Sequence, residues 1–263
     1  MAFLTLSALS APARAQPCGT GGGGFDSWLS QYRLKAAAAG ITTRGLAALD
    51  GVTYDPAVIG RDRGQKSFKL SFEEFYARRV GAALINRGKK LMQQHAATFA
   101  RVEKQFGVPP EILTAIWGLE TNYGADGGGK YSIVRSIATL AFDCRRTEFF
   151  RNELDSALRI IDRGDMTNAQ MVGGWAGEIG QVQFLPSSYY KYAVDFDGDG
   201  RRDLVRSVPD MLASTANFLK AKGWQSGQAW GPGTANYGAI KEWNKAEVYQ
   251  RTIAVMASKM AGR

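Results

Sequence analysis

The 263-residue chain has a single histidine, His95, and this scarcity excludes several classes of enzyme. A Ser-His-Asp triad would have to use His95, yet no nucleophile-elbow serine motif accompanies it. A zinc hydrolase needs two or three His, Glu or Cys ligands at close spacing, and the sequence contains no such group. We therefore expect His95 to be a structural residue, and we expect catalysis without a cofactor.

Long apolar runs are also missing, since no stretch reaches the ~18 apolar residues that a membrane-spanning helix needs. Residues 2–10 are small and apolar, and Ala13-Arg-Ala15 follows as an A-x-A cleavage pattern. The sequence therefore predicts a signal peptide over residues 1–15; its missing basic start is compatible with a natural start upstream of Met1. The alternative is a frayed apolar tail. We expect a soluble periplasmic protein without a lipid anchor, because the pattern for lipid attachment is absent before Cys18.

Cysteine is rare, with two residues in the whole chain, Cys18 and Cys144. In an exported protein an even pair predicts one disulfide, which would tie the N-terminal tail to the middle of the chain. The alternative is two unpaired thiols. Residues 16–24 are rich in glycine and are predicted to form a flexible linker.

Acidic side chains are outnumbered, and the formal net charge is +9. A basic surface could meet nucleic acid, anionic lipid or an acidic polymer such as a cell-wall glycan, or it could be a solvated face without a partner. No signature of a nucleic-acid-binding fold accompanies the charge. We therefore expect no nucleic-acid partner.

The most informative stretch runs from Phe106-Gly-Val-Pro-Pro-Glu to Trp117-Gly-Leu-Glu-Thr-Asn-Tyr-Gly124. Pro110 suits a first helical turn, and apolar residues then recur at helical spacing. Glu120 follows at the C-terminal end of this helix, where apolar neighbours and the helix dipole both raise the pKa of a carboxyl group. A general acid near neutral pH needs such a pKa. The alternative is a helix-end residue that faces water.

A second motif is rich in small residues and covers residues 173–189, from Gly-Gly-Trp-Ala-Gly-Glu through Gln183 to Pro186-Ser-Ser-Tyr. Small residues let the backbone approach a large flat ligand closely. The Gln183 amide can donate and accept hydrogen bonds, as sugar hydroxyls and amides require. The alternative is a glycine-rich packing turn.

A third motif, Asp195-Phe-Asp-Gly-Asp-Gly-Arg-Arg-Asp203, places carboxylates at the odd positions of an EF-hand-like loop. Position 12 is Arg206 in place of the usual glutamate. The sequence predicts a structural calcium site with Asp195, Asp197, Asp199 and Asp203 as ligands. The alternative is a turn that Asx hydrogen bonds hold without a metal.

Together these stretches resemble the B-type lytic murein transglycosylases, from about Phe25 to the C-terminus. The stretch around Glu120 matches the family's catalytic-glutamate motif, and residues 173–189 match its GxWAGAMGxxQFxPSS pattern. Arg145-Arg146 is similar to the family's double arginine, and Trp243-Asn244 to its W-N pair. Two further similarities concern Asp62-Arg-Gly-Gln65, a DRxQ-like segment, and Asp210, which the resemblance implies as the remaining calcium ligand.

Two positions depart from the family pattern. Gly174 stands where a serine that supports the catalytic glutamate is common. Glu178 stands where a small apolar residue is common, and it adds a carboxylate near the expected site.

The resemblance implies a mainly α, lysozyme-like fold, with a small β-hairpin at the EF-hand-like insertion and extra N-terminal helices. We expect one catalytic domain over residues 25–263, with a helical part over 25–105 and the lysozyme-like core over 106–263. The helical pattern of residues 70–106 predicts nearly continuous helix with a break near Gly88, and residues 56–68 read as irregular. We expect a monomer.

The implied function is a lytic transglycosylase that acts on peptidoglycan glycan strands, with Glu120 as sole acid and base. The resemblance also implies a set of glycan-binding side chains: Tyr123, Arg145, Arg146, Gln183 and Asn244. Two alternatives stay open. One is a muramidase that uses water, with Glu178 as second carboxylate, and the other is a non-catalytic wall-binding protein.

Overall fold

The computed structural model describes residues 18–65 and 70–262, and these residues are mainly helical. Their α-helices are α1 (Phe25–Ala38), α2 (Thr43–Leu46), α3 (Pro56–Arg63), α4 (Phe72–Arg79), α5 (Ala82–Gln94), α6 (Ala96–Phe106), α7 (Pro110–Thr121), α8 (Ile133–Phe142), α9 (Thr147–Arg163), α10 (Pro186–Tyr192), α11 (Val208–Ala221), α12 (Ala235–Trp243) and α13 (Glu247–Met260). Short 3-10 helices cover Ala47–Leu49 and Asn168–Gln170. The mainly α fold class is confirmed.

Strand structure is confined, in the described residues, to one short antiparallel pair. Strand β1 (Tyr131–Ser132) pairs with β2 (Val172–Gly173), so that Tyr131 faces Gly173. The expectation of strands at the Asp-rich loop is wrong. Its carboxylates accept hydrogen bonds from nearby backbone N–H groups, and these local bonds replace a strand ladder.

Helix α7 lies in the centre of the hydrophobic core. Ile112, Leu113 and Ile116 are fully buried, and each contributes about 1.5–3 kcal/mol by leaving water. The helix packs against α5, α6, α11 and α13. These neighbouring helices fix the direction of α7. The C-terminal end of α7 places Glu120 at the wall of a cleft.

Two expectations about the helices before α7 are wrong. Helix α5 runs through Gly88 without a break, and the chain bends instead at Val80-Gly81 and at His95. Gly88 lacks a side chain because the Tyr123 hydroxyl occupies the space that a Cβ would need. Residues 56–63 are helical because Asp55 caps the helix by accepting a 3.0 Å hydrogen bond from the Ala57 N–H, with Pro56 in the first turn.

A disulfide joins Cys18 to Cys144, with their Cα atoms 5.1 Å apart. The backbone supports the same contact, since the Gly19 N–H donates to the Phe142 carbonyl at 2.9 Å. The glycine-rich residues that follow Cys18 lead into α1, whose Trp28 is completely buried. The segment before α1 is therefore fastened to the connection between α8 and α9.

In residues 18–65 and 70–262, no helix combines the length and the apolar character that crossing a membrane requires. The predicted signal peptide, residues 1–15, lies outside the described residues, as do the first two residues of the predicted linker.

Candidate active site

Glu120 lies in the last turn of α7, directly before the residues that end the helix. Asn122 and Tyr123 both adopt positive φ angles of 50° and 58°, which turn the chain sharply away from the helix axis. The Glu120 carboxylate accepts a 3.0 Å hydrogen bond from the indole N–H of Trp243. Trp243 is fixed in turn by packing on Phe184 and Phe218, each with ring centroids 5.2 Å away.

The environment of Glu120 raises the pKa of its carboxyl group into the neutral range. Burial raises the pKa of Glu120 from 4.5 to about 7, and it is the largest influence. The Trp243 hydrogen bond, the nearby Tyr249 side chain and the charge of Arg79 lower this pKa, while the charge of Glu178 raises it. Desolvation therefore outweighs three favourable contacts, which gives the pKa that a general acid requires.

Tyr249 and Arg79 complete the surroundings of the carboxyl group. Burial and the neighbouring charge of Glu120 raise the pKa of Tyr249 well above 10, so its hydroxyl stays protonated. The Arg79 guanidinium donates to the Leu119 carbonyl at 2.5 Å, which holds this cation beside the end of α7. Neither residue was recognised from the sequence.

Glu120 opens into a cleft of about 500 Å³ whose wall also contains Glu178, Gln183 and Asn244. Gln183 has a positive φ of 54°, and its amide donates to the carbonyls of Gly128 and Gly180 at 3.0 and 2.8 Å. The Asn244 side chain accepts a 2.9 Å hydrogen bond from the Ala246 N–H. The structure thus brings Gln183 and Asn244 to the cavity of Glu120.

Among the described residues, neither Arg145 nor Arg146 lines this cleft. Both arginines pair with Asp62. Arg145 donates at 2.6 Å to the Asp62 carboxylate, which is 2% exposed. The side chains of both arginines remain more than a third exposed. The charge of Arg146 reaches Glu178, whose pKa it lowers against the raising effect of burial. Arg146 is therefore close enough to Glu178 to act on its charge, although it does not line the cleft.

Tyr123 does not line the cleft of Glu120 but a neighbouring pocket beside Gly128 and Gln181, and its contact with glycan stays a prediction. Its side chain is 5% exposed, and its hydroxyl donates to the Leu84 carbonyl at 2.9 Å. A Cβ at Gly118 would lie 2.8 Å from the tyrosine ring, which shows how closely the ring covers α7. The positive φ at Tyr123 directs this ring into the core, between α5 and α7.

The Asp-rich loop gathers three carboxylates: oxygens of Asp195, Asp197 and Asp210 lie within 4.8 Å of one another. Asp210 is fully buried, and it accepts hydrogen bonds from the Phe196 and Asp203 N–H groups at 2.7 and 2.8 Å. Burial raises the pKa of Asp210, so a nearby cation would relieve an unfavourable charge. An all-oxygen donor set of this kind fits calcium.

Asp199 and Asp203 stand apart from these three carboxylates. Asp203 pairs with Arg206 at 2.8 Å, and the Asp199 carboxylate accepts a 2.9 Å hydrogen bond from the Arg201 N–H. The five-aspartate ligand set is therefore not assembled in this arrangement, because basic neighbours hold two of its members.

The comparison with protein families decides where this chain belongs. Residues 24–235 match the model described as Transglycosylase SLT domain. The chain belongs to this family. The resemblance to B-type lytic murein transglycosylases is thereby confirmed.

Individual relatives agree with the family. The chain is 40% identical over 144 residues to membrane-bound lytic murein transglycosylase B of Escherichia coli strain K12, an alignment that covers 54% of this chain and 39% of the relative. This chain thus matches less than half the length of that curated relative.

Two solved structures are similar over most of both chains. SltB3 from Pseudomonas aeruginosa, in complex with NAG-anhNAM-pentapeptide, superposes with a TM-score of 0.84 and 31% identity, over 90% of this chain and 80% of that one. The Escherichia coli lytic transglycosylase Slt35, in complex with calcium, gives a TM-score of 0.78 and 25% identity, over 89% and 92%.

Proposed function

We propose that this SLT-domain protein is a lytic transglycosylase that cleaves the β-1,4 bond between N-acetylmuramic acid and N-acetylglucosamine in peptidoglycan. The observation that carries the proposal is Glu120, a partly buried glutamate with a pKa of about 7, at the wall of a cleft of about 500 Å³. The peptidoglycan fragment bound by SltB3 supports the same substrate class.

The reaction needs one protein carboxyl group in two successive states. Glu120 as an acid donates its proton to the glycosidic oxygen, and the bond from that oxygen to C1 of the muramic acid breaks. The 6-hydroxyl of the same sugar then attacks C1 and loses its proton to the Glu120 carboxylate. The product is a 1,6-anhydro sugar, and Glu120 regains its acid form without consuming water.

The neighbours of Glu120 fit both steps. Trp243 and Tyr249 stabilise the carboxylate left by the first proton transfer, while burial favours the return of the proton. Gln183 and Asn244 line the cleft and would bind sugar hydroxyl and amide groups. We propose that Arg145 and Arg146 contact the glycan at the border of the cleft, where their exposed side chains could meet sugar or carboxylate oxygens.

The water-using muramidase is the second candidate, since Glu178 lies in the same cleft. Its carboxylate accepts a 3.0 Å hydrogen bond from the Ala176 N–H, and burial raises its pKa. The Ala176 hydrogen bond weakens Glu178 as a general base, whereas its raised pKa strengthens it, so the reaction products decide between the two functions. A non-catalytic wall-binding role gives no reason for a glutamate that is kept buried and hydrogen-bonded in the cleft.

Digestion of purified cell wall separates the three functions. The lytic transglycosylase releases muropeptides with 1,6-anhydro ends, the muramidase releases reducing ends, and a binding protein releases nothing. Glu120→Gln serves as the inactive control. Glu178→Gln, assayed below the pKa of Glu120, should retain most activity; a loss equal to that of Glu120→Gln would favour the muramidase.

We further propose a structural calcium ion at Asp195, Asp197 and Asp210, remote from the chemistry. The bound calcium of Slt35 supports this assignment.

We also propose that residues 25–263 form one catalytic domain, and that the protein acts as a monomer in the periplasm after removal of the signal peptide. The disulfide between Cys18 and Cys144 fits an oxidising compartment.

A further inference from the structure

Gln181 joins helix α7 to the segment that follows the Asp-rich loop. Its side-chain Oε1 accepts a 2.9 Å hydrogen bond from the indole N–H of Trp117, and its backbone carbonyl accepts a 2.5 Å bond from the Thr121 hydroxyl. On the other side, the Gln181 N–H donates to the Leu204 carbonyl at 3.0 Å, and Nε2 donates to the Val205 carbonyl at 2.9 Å. One residue thus makes four hydrogen bonds, two to each side.

The side chain at 181 has to be an amide to meet both of its partners. The Trp117 indole only donates a hydrogen bond, and the Val205 carbonyl only accepts one. The side chain must therefore offer an acceptor and a donor at the same end, which also fixes the amide atom that faces each partner. An ionised glutamate has no donor, and a methionine of similar length has no donor and only a weak acceptor.

Two glycines let the neighbouring chain segments approach Gln181 closely. A Cβ at Gly124 would lie 2.8 Å from Oε1 of Gln181, and a Cβ at Gly180 would overlap the Leu204 carbonyl oxygen. Both glycines have positive φ angles, 79° and 73°, which residues with side chains rarely adopt. The sequence thus keeps both sides of this junction free of further side chains.

The segment that Gln181 contacts is itself held in one conformation. The Asp203 carboxylate accepts hydrogen bonds from the Val205 and Arg206 N–H groups at 3.0 and 2.9 Å. The Asp203 N–H donates at 2.8 Å to the Asp210 carboxylate, which is fully buried. The Val205 carbonyl is therefore a fixed acceptor for the Gln181 amide.

The two contacts on α7 lie on either side of Glu120. Trp117 precedes Glu120 by one helical turn, and Thr121 follows it directly as the last residue of the helix. The final carbonyl groups of a helix lack partners within the helix, so its last turn frays unless other contacts hold it. The Thr121 hydroxyl also accepts a 3.0 Å hydrogen bond from the Gly124 N–H, which ties the turn after the helix to the same place.

We propose that Gln181 is a positioning residue for Glu120: it fixes the last turn of α7 against residues 204–205 and thereby sets the place of the acid in the cleft. The proposal rests on the proposed function, because it gives Gln181 a part in the proton transfer by Glu120. Among the described residues, the cleft wall includes Gln183 but not Gln181, and Gln183 has its own hydrogen bonds to backbone carbonyls. Loss of the Gln181 amide should therefore reduce turnover and leave sugar binding unchanged.

The first test is kinetic and uses soluble peptidoglycan glycan strands as substrate. Gln181→Met keeps the length of the side chain and removes the donor, so kcat for muropeptide release should fall by roughly 10–100-fold, as expected for a small misplacement of a catalytic group. KM should stay the same within about twofold, since no contact with the sugar is lost. Gln181→Glu, which lacks the donor to Val205, should lower kcat as well and serves if the methionine variant does not fold.

Two control variants separate positioning from lost stability. Val58→Ala leaves a cavity at a fully buried position of α3, which packs against α8, and should lower the melting temperature. At an assay temperature well below melting, its kcat should equal that of the parent. Gln228→Met changes an exposed glutamine and should alter neither property.

The second test follows the contact at Trp117 without any substrate. Its indole N–H signal in an NMR spectrum is identified by its loss in Trp117→Phe. The Trp117 side chain is 3% exposed, so in Gln181→Met its N–H loses its acceptor without gaining water. The signal should shift, and the exchange of this proton with solvent should become faster by about fivefold or more.

A double-mutant cycle links the two tests. Trp117→Phe removes the same hydrogen bond from the side of α7, so its loss of kcat and that of Gln181→Met should not add. The double variant should therefore resemble the more impaired of the two single variants.

The outcomes separate this inference from the proposed function. An unchanged kcat in folded Gln181→Met, a loss confined to KM, an unmoved Trp117 signal or fully additive losses would each overturn the role of Gln181. Reducing ends in place of anhydro ends, with kcat still lowered in Gln181→Met, would leave that role intact and remove the lytic transglycosylase function. A parent protein that releases nothing from the wall would remove both.

Discussion

At Glu120, burial and hydrogen bonding act in opposite directions on one carboxyl group. In the proposed mechanism, burial favours the acid that protonates the leaving oxygen, whereas Trp243 and Tyr249 favour the carboxylate that later accepts a proton. A residue that serves as acid and then as base needs a balance between these influences. The pKa of about 7 places that balance at neutral pH.

Replacing Glu120 by glutamine should abolish the proton transfers while it preserves the shape of the side chain. We expect muropeptide release to fall by ~10²–10⁴-fold or more.

Because the folded-state pKa of Glu120 is raised, its contribution to stability is present below pH 4.5 and is lost as the pH rises through 7. At pH 8 this loss amounts to up to about 3 kcal/mol, and the glutamine variant avoids it.

Melting curves of Glu120→Gln and the unchanged protein test this linkage. The glutamine variant should gain in melting temperature relative to the parent as the pH is raised from 5 to 8. A constant difference across that range would mean that Glu120 is not buried as a carboxylic acid, and activity in the folded variant would remove its catalytic role.

Trp243→Phe should raise the pKa of the Glu120 carboxyl group. The substitution removes the 3.0 Å hydrogen bond to the carboxylate but keeps an aromatic ring against Phe184 and Phe218. Since that bond lowers the pKa of Glu120, we expect the upper limb of the pH profile of activity to move to higher pH. The profile is measured from the initial rate of muropeptide release, and a downward shift would contradict the assigned contact.

Sequence patterns predicted Glu120 as the catalytic glutamate but did not reveal all of its neighbours. Glu120 could be recognised because a helix start, an apolar stripe and a closing glycine lie in one short segment. Trp243 stood beside the predicted Asn244, so a signal for it existed. Arg79 and Tyr249 come from α4 and α13, and their approach to Glu120 depends on tertiary packing that no local pattern contains.

At the scale of secondary structure, the wrong prediction of a helix break at Gly88 has its cause in the position of Tyr123. Helical propensity suggested a break at Gly88, a residue that α5 carries in its interior. The reason for that glycine lies 35 residues away, where the Tyr123 side chain covers both Gly88 and Gly118. Glycine can mark a close approach between elements as well as a helix end, and the sequence does not distinguish the two.

The connection between α8 and α9 should depend on the Cys18–Cys144 disulfide, which spans 126 residues. A crosslink of that span constrains the unfolded chain strongly, and native disulfides typically contribute about 2–4 kcal/mol. Replacing both cysteines by serine should therefore lower the denaturant midpoint by a corresponding amount. Thiol titration of the denatured, unreduced protein should find no free thiol, and two thiols per chain would contradict the bond.

At the scale of the whole molecule, the net charge of +9 favours association with a polymer that carries carboxylates. Composition alone left nucleic acid, anionic lipid and glycan as possible partners of the basic surface. The distinction comes from the cleft, where carboxyl and amide groups line a cavity suited to neutral sugar hydroxyls. Under the proposed function, the net charge would attract the wall polymer and the cleft would select the bond that is cleaved.

Calcium should stabilise the entire fold through the loop before α11. The ion would bind the folded cluster of Asp195, Asp197 and Asp210 only, so it raises stability by mass action. At about 100 times the dissociation constant the gain is about 2.7 kcal/mol, which corresponds to a rise in melting temperature of about 5–10 °C. The comparison is made between chelator and excess calcium, with magnesium as the control cation.

Two single substitutions locate this response. Asp197→Asn removes a member of the cluster and should suppress the calcium-dependent rise. Asp199→Asn alters a half-exposed carboxylate that accepts a hydrogen bond from the Arg201 N–H, so the rise should persist. Equal suppression by both variants would mean that the whole EF-hand-like loop rearranges around the ion, because Asp199 could become a ligand only by leaving its present contact. An unchanged melting temperature in the parent protein would instead show that Asx hydrogen bonds hold the loop without a metal.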